Sequence, residues 1–215
     1  MKLYPINLDI AGKACVVIGG GEVALRKIRG LLEAGALVKV IAPEICAGIE
    51  ELSRRGEIIL VRENFSEDLL GDEMILIAAT DNPEVNRRAA QVKKILVNVA
   101  TGAGGNFVVP SKIRRGDLLL TISTETNSPA FSRFVRRMLE EEFGENLGAG
   151  LQLIARYRRR VKELLPNHEQ RKIFWRGFLT RDIWELLKLG KLDELEEKIN
   201  YALEDFGLES QDGTG

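Results

Sequence analysis

Cysteine and histidine are nearly absent: Cys15 and Cys46 are the only thiols and His168 is the only imidazole. Neither cysteine falls in a Cys-x-x-Cys or mixed Cys/His pattern, so no disulfide framework and no structural zinc are expected. Cys15 lies in an apolar run, where a small core residue is the default. His168, just after Pro166 in "LLPNHEQ", reads as a surface or helix-cap residue. No metal site is expected. Every apolar run falls short of the ~20 residues that span a bilayer, and the N-terminus has no signal-peptide pattern. The expectation is a cytoplasmic chain without membrane attachment. Net charge is lacking too: 31 Lys and Arg against 32 Asp and Glu leave −1. Nothing global draws such a chain to nucleic acid. The charge is unevenly spread, however. Arg156, Arg158, Arg159, Arg160 and Lys162 form a basic run, and residues 193–212 are mostly acidic. Both read as solvated helix faces.

What is present is alternation. Apolar, β-branched runs occur at Ala14–Ile18, Leu37–Ile41, Ile58–Val61, Met74–Ala79 and Ile95–Val99. They are nearly continuous, as expected of parallel strands covered on both faces. Between the first two, Ala24, Ile28, Leu31 and Leu32 fall on one helical stripe that Gly35 stops. Ile45, Ile49 and Leu52 repeat the pattern up to Gly56, and "TDNPEVNRRAAQV" opens a third helix with Pro83 in its first turn. Strand–helix alternation of this length predicts an α/β fold with a doubly wound parallel sheet and right-handed crossovers.

The first strand runs into Gly19-Gly20-Gly21-Glu22-Val23-Ala24, a G-x-G-x-x-A turn of Rossmann type. Gly19 suits the turn's unusual dihedrals, Gly21 lets a pyrophosphate approach the backbone, and Ala24 keeps helix and sheet close. The amide groups of Glu22 and Val23 would face the phosphates. Strand two ends in "VIAPE", which puts Pro43 and Glu44 about twenty residues beyond the turn, where an acid accepts from ribose hydroxyls. A carboxylate repels a 2′-phosphate, so NAD is expected rather than NADP. Glu44 is equally good local chemistry as an acid at a helix N-terminus. "AATD" places Thr80 and Asp81 at the carboxyl edge of the sheet, beside the crevice where such ligands lie.

The pattern changes after Val99. "ATGAGGN" is glycine-rich, and "FVVP" and "DLLLTIST" read as further strand. Ser128 caps a new helix with Pro129 in its first turn. Its inner face is expected to be Ala130, Phe131, Phe134, Val135, Met138 and Leu139, leaving Arg133, Arg136 and Arg137 outside. From Asn146 onward every segment reads as helix, with breaks near Pro166, Thr180 and Gly190.

Taken in order, "YPINLDIAGKACVVIGGGEVALRKIRGLLEAGALVKVIAPE", "AATDNPEVN", "VNV" and "FVVPSKIRRGDLLLTISTETNSPAFSR" resemble the precorrin-2 dehydrogenase family, which includes the N-terminal portion of siroheme synthase. The resemblance covers nearly the full length and is strongest from Tyr4 to Arg137. It implies an NAD-binding Rossmann domain over residues 1–111, a bridging dimerisation segment over 112–145 and an all-helical C-terminal domain over 146–215. It further implies a homodimer and NAD-dependent oxidation of the tetrapyrrole precorrin-2 to sirohydrochlorin. In some members the same protein also inserts ferrous iron. Gly19, Gly21, Glu22, Val23, Pro43, Glu44, Thr80 and Asp81 are the cofactor residues so implied. Asn106, Asn127, Ser128, Arg133 and Arg137 would meet the polycarboxylate substrate, to which guanidinium groups bind in bidentate fashion.

One departure concerns the chemistry. The family follows "N-V-V" with an aspartate, whereas Asn98-Val99-Ala100 is followed here by Thr101, and Val85 to Gly116 contains no carboxylate. A general acid or base is worth about 10²–10⁴-fold. Hydride abstraction tolerates that loss because the cofactor carries the hard step; chelation is more exposed to it. Asp81 is a candidate substitute, and the catalytic residue stays open. Dehydrogenase activity is the expected function. A bifunctional dehydrogenase and ferrochelatase is the alternative, and an NAD-sensing regulatory module is a third reading.

Overall fold

The structure is a computed structural model that describes residues 2–92, 96–100, 104–125 and 127–212. The chain divides into two compact units, Met1–Val109 and Pro110–Gly215. In the first, β1 (Ala14–Ile18), β2 (Leu37–Ile41), β3 (Ile58–Val61), β4 (Ile75–Ala78) and β5 (Leu96–Val99) form one sheet in the order β3-β2-β1-β4-β5. All four pairings are parallel. Ile95 lies outside the described residues. Alternate residues feed opposite cores, because successive side chains of a strand point to opposite faces. Val17, Val40 and Ile77 pack with α1 (Glu22–Glu33) and α2 (Ala47–Arg54). Ile18, Ile41 and Leu76 pack on the other face with α3 (Pro83–Ala90). Both faces are therefore apolar, and the strand runs look continuous in sequence for that reason. The strand order reverses between β1 and β4, so a crevice opens at their carboxyl ends.

One charge interrupts β2. Lys39 forms an ion pair with the buried Glu73 carboxylate and donates to Leu69 O at 2.6 Å. Burial pushes the Glu73 carboxyl up, but hydrogen bonds from Lys39, from its own backbone and from the Gly71 N–H outweigh this and hold it below its ordinary value. A depressed folded-state value contributes stability above the unfolded carboxylate range, and that contribution is lost as pH falls through the folded value. Glu73→Gln is expected to cost about 3 kcal/mol near neutral pH, because it strands a partly buried ammonium. The deficit should shrink as pH falls below the ordinary carboxylate range and through the lowered Glu73 value, where the native carboxylate also protonates. Urea unfolding at several pH values measures it.

The second unit begins with an antiparallel hairpin, β6 (Ser111–Arg115) and β7 (Leu118–Ile122), followed by α4 (Pro129–Glu142), α5 (Asn146–Leu164), α6 (His168–Phe178), α7 (Arg181–Leu189) and α8 (Leu192–Asp212). The breaks fall where local chemistry puts them. Asn167 Oδ1 accepts from Glu169 N–H at the start of α6, and Gly190 ends α7 at φ +69°. Leu153, Val161, Phe174, Ile183, Leu195 and Ile199 fill the helical core. His168 is the exposed first residue of α6. No helix among the described residues is long and apolar enough to cross a membrane.

Two expectations are corrected here. "FVVP" is irregular, and the first hairpin strand is instead "SKIRR", of which only Ile113 is buried. A strand with one buried side chain needs no apolar run, so the polar segment hid it. The inner face of α4 is also turned. Phe131, Phe134 and Met138 are 57%, 49% and 52% exposed, whereas Ser132 is buried and Val135, Arg136 and Leu139 are half-buried. The Ser132 hydroxyl lies 3.0 Å from Thr124 Oγ1, which also donates to Ser128 O at 3.0 Å. This polar tether holds the Ser132 edge of the helix inward and leaves the aromatic edge outside.

Candidate functional site

The glycine turn leaves the carboxyl end of β1, and each glycine answers to a different constraint. Gly19 adopts φ +125° and donates to Ile41 O at 3.0 Å; a Cβ there would lie 2.3 Å from Ala79 O. At Gly20 a Cβ would fall 1.8 Å from the carbonyl oxygen of Glu44, and Gly20 O accepts from Cys46 N–H at 2.8 Å. Gly21 differs. Apart from its own chain neighbours, no heavy atom of the described residues lies within 4 Å of a Cβ built on it, and it caps α1 without any side-chain hydrogen bond. The first-turn amides of Glu22 and Val23 thus have no side-chain cap. A helix start of this kind suits an anion. Ala24 is fully buried against the sheet. Gly20 was not singled out by the sequence, because its constraint comes from a loop far along the chain.

That loop carries Pro43 and Glu44, both exposed, between β2 and the start of α2 at Ala47. The Gly20 contact brings the Glu44 backbone against the glycine turn. Next to it, β4 ends in a closed turn. Thr80 Oγ1 donates to Asn86 Oδ1 at 2.9 Å, Asn86 Nδ2 returns a bond to Thr80 O at 2.9 Å, and Asn82 Oδ1 accepts from Glu84 N–H at 2.9 Å. Asp81 stands exposed in this turn. Asn86 is a buried polar residue that fixes the turn, and the sequence reading did not single it out.

At the end of β5, Asn98 is buried. Its Nδ2 donates to Phe107 O at 3.0 Å, and its Oδ1 has no hydrogen-bond partner among the described residues. Asn106 Oδ1 accepts from Val97 N–H at 2.8 Å, and its own N–H donates to Val97 O at 2.8 Å, so it completes the sheet edge as a further strand would. Thr101 lies outside the described residues. In the second unit, Ser128 Oγ accepts from Phe131 N–H at 3.2 Å as the cap of α4, with Asn127 exposed beside it. Arg133 and Arg137 project one turn apart on the exposed side of α4, whereas Arg136 pairs with Glu140 at 3.2 Å. Among the described residues, no group of three or more His, Cys, Asp or Glu side chains is placed to hold a metal ion.

A β3-β2-β1-β4-β5 parallel sheet, with an open glycine turn at its switch point, defines a Rossmann-type dinucleotide-binding protein. Residues 6–111 match the family described as "Putative NAD(P)-binding", and residues 133–203 match the "Sirohaem synthase dimerisation region". The chain is 36% identical to the siroheme synthase of Nitrosococcus oceani, over 95% of this chain and 44% of that protein. It is 32% identical to the siroheme synthase of Photorhabdus laumondii, over 98% of this chain and 46% of that protein. It thus spans less than half the length of these curated relatives. The solved structure of "SirC, precorrin-2 dehydrogenase" superposes with a TM-score of 0.78 at 27% identity, covering 93% of this chain and 100% of that one. The chain belongs to the precorrin-2 dehydrogenase and siroheme synthase N-terminal family.

Proposed function

We propose that this chain oxidises precorrin-2 to sirohydrochlorin with NAD, as a cytoplasmic homodimer. The observation that carries the reading is the close approach of Gly20 to the Glu44 carbonyl, which sets a carboxylate-bearing loop beside the open backbone at Gly21. The Glu22 and Val23 amides would hold the diphosphate, and Glu44 would accept from the adenosine ribose. Pro43, Thr80 and Asp81 line the carboxyl edge of the sheet around the dinucleotide. Bound NAD supplies the hydride acceptor. The oxidation removes a hydride equivalent and a proton from the substrate, and the proton is what this chain's own residues must take.

The second unit supplies cations. Arg133 and Arg137 take substrate carboxylates, aided by Asn127 and by the Ser128 hydroxyl hydrogen, which the helix cap does not use. Asn106, in the segment after β5 of the first unit, offers the substrate a further amide. Asp81, exposed at the sheet edge, accepts the proton in place of the aspartate replaced by Thr101. Phe131, Phe134 and Met138 form the apolar face on which a second copy of α4 packs, and the last two lie within the matched dimerisation region.

Incubating the purified chain with NAD and freshly made precorrin-2 tests the proposal: NADH and sirohydrochlorin should appear together in equal amounts, and no NADH would overturn it. Glu44→Arg is expected to shift preference toward NADP by at least tenfold, about 1.4 kcal/mol, in the ratio of Kd values. Asp81→Asn should lower kcat by about 10²-fold while the KM for the tetrapyrrole changes little, since a base acts on the reaction step rather than on binding.

A further inference from the structure

The proposed reaction leaves one concentration of charge unused. Arg156, Arg158, Arg159 and Lys162 are exposed on α5, and none of them pairs with a carboxylate among the described residues. Arg160, in the same run, is already engaged: it donates to Asn200 Oδ1 at 3.0 Å and lies over the Tyr157 ring. Like charges three and four residues apart on a helix repel. Arg156 with Arg159, and Arg158 with Lys162, are such pairs.

These cations rim a groove of about 780 Å³. Its size falls among small-molecule sites, roughly 300–1,000 Å³. Its floor on α5 carries Ala149 and Ala155, which reach no further than a methyl group, with the Gln152 amide between them as a neutral hydrogen-bonding group. From Arg156 to Lys162 the helix rises about 9 Å, a spacing suited to several anionic groups on one compact body. Asp117, at the hairpin turn, also lines the groove, as does Leu192, which is followed by the exposed acids Asp193 and Glu194. Acidic borders disfavour a long polyanion such as a nucleic acid and leave room for a short one.

We propose that this groove binds a compact polycarboxylate, and that the occupant is the carboxylate rim of the tetrapyrrole. The identity of the occupant rests on the dehydrogenase reading. Guanidinium groups grip carboxylates in bidentate fashion, and the short alanine side chains leave space for the ring.

The test uses uroporphyrin, a fluorescent octacarboxylate, titrated into the full chain. Arg156→Glu with Arg159→Glu should weaken binding at least tenfold, and Arg156→Gln with Arg159→Gln should weaken it less. Added salt should weaken the wild type and leave the Glu variant nearly unchanged. The neutral octamethyl ester should not discriminate between the chains. Wild-type affinity in both double variants overturns the proposal, and so does displacement of the porphyrin by tripolyphosphate at far lower concentration than by tricarballylate, which would make it a phosphate site. NADH formation from precorrin-2 is read separately. A chain that binds uroporphyrin through Arg156 and Arg159 but forms no NADH refutes the dehydrogenase and keeps the polycarboxylate groove. A chain that forms NADH, with kcat/KM and porphyrin affinity unchanged in the variants, does the reverse.

Discussion

Gly21→Val is expected to abolish measurable NAD binding, weakening it at least about 100-fold, or ~2.7 kcal/mol, while thermal unfolding stays close to wild type. The contrast rests on geometry at adjacent positions. Gly21 has φ −86°, which any residue adopts, and open space where a side chain would go, so a larger residue disturbs nothing in the protein itself. It fills only the volume that a diphosphate would take against the first-turn amides. Gly20→Val should behave differently. Its Cβ would meet the Glu44 carbonyl at 1.8 Å, so the loop after β2 must move, at a cost of about 3 kcal/mol or more. Calorimetric titration with NAD, paired with thermal unfolding, separates the two variants. If Gly21→Val binds NAD as the wild type does, the turn is a packing device and not a cofactor seat.

The second large effect concerns assembly. Phe134→Glu with Met138→Glu is expected to convert a dimer to monomers at micromolar concentration, read by sedimentation velocity. Burying a Phe or Met side chain is worth about 1.5–3 kcal/mol. Two lost on each of two symmetric copies raise the dissociation constant by more than about 10³-fold. Both side chains face solvent within the chain, so the folded monomer should keep its stability. A dimer that survives the substitution would move the interface away from α4.

Much of the fold is local and therefore legible. Continuous β-branched runs, a glycine turn, Pro83 in the first turn of α3, the Ser128 cap and the stops at Pro166 and Gly190 act over a few residues, and the structure repeats them. The parallel sheet follows because only strands covered on both faces can afford such unbroken apolarity. Family membership was legible for a related reason: the order and spacing of short motifs are themselves properties of the chain.

Tertiary structure decided the rest. Amphipathic spacing identified α4 but not the direction its apolar edge takes, since an apolar stripe fits a partner copy as well as an internal core. The tether from Thr124 to Ser132 resolves that choice within the chain. The strand "SKIRR" lay hidden because one buried side chain holds it. Folding also brings Glu73, far along the chain, beside Lys39 in β2. Gly20 belongs to the same class, since its constraint comes from Glu44, distant in sequence. The sequence by itself determined the five parallel strands, the helices and where the glycine turn opens. Only the folded chain determined which faces meet, because contact between remote segments depends on the whole packing and leaves no periodic mark at either end.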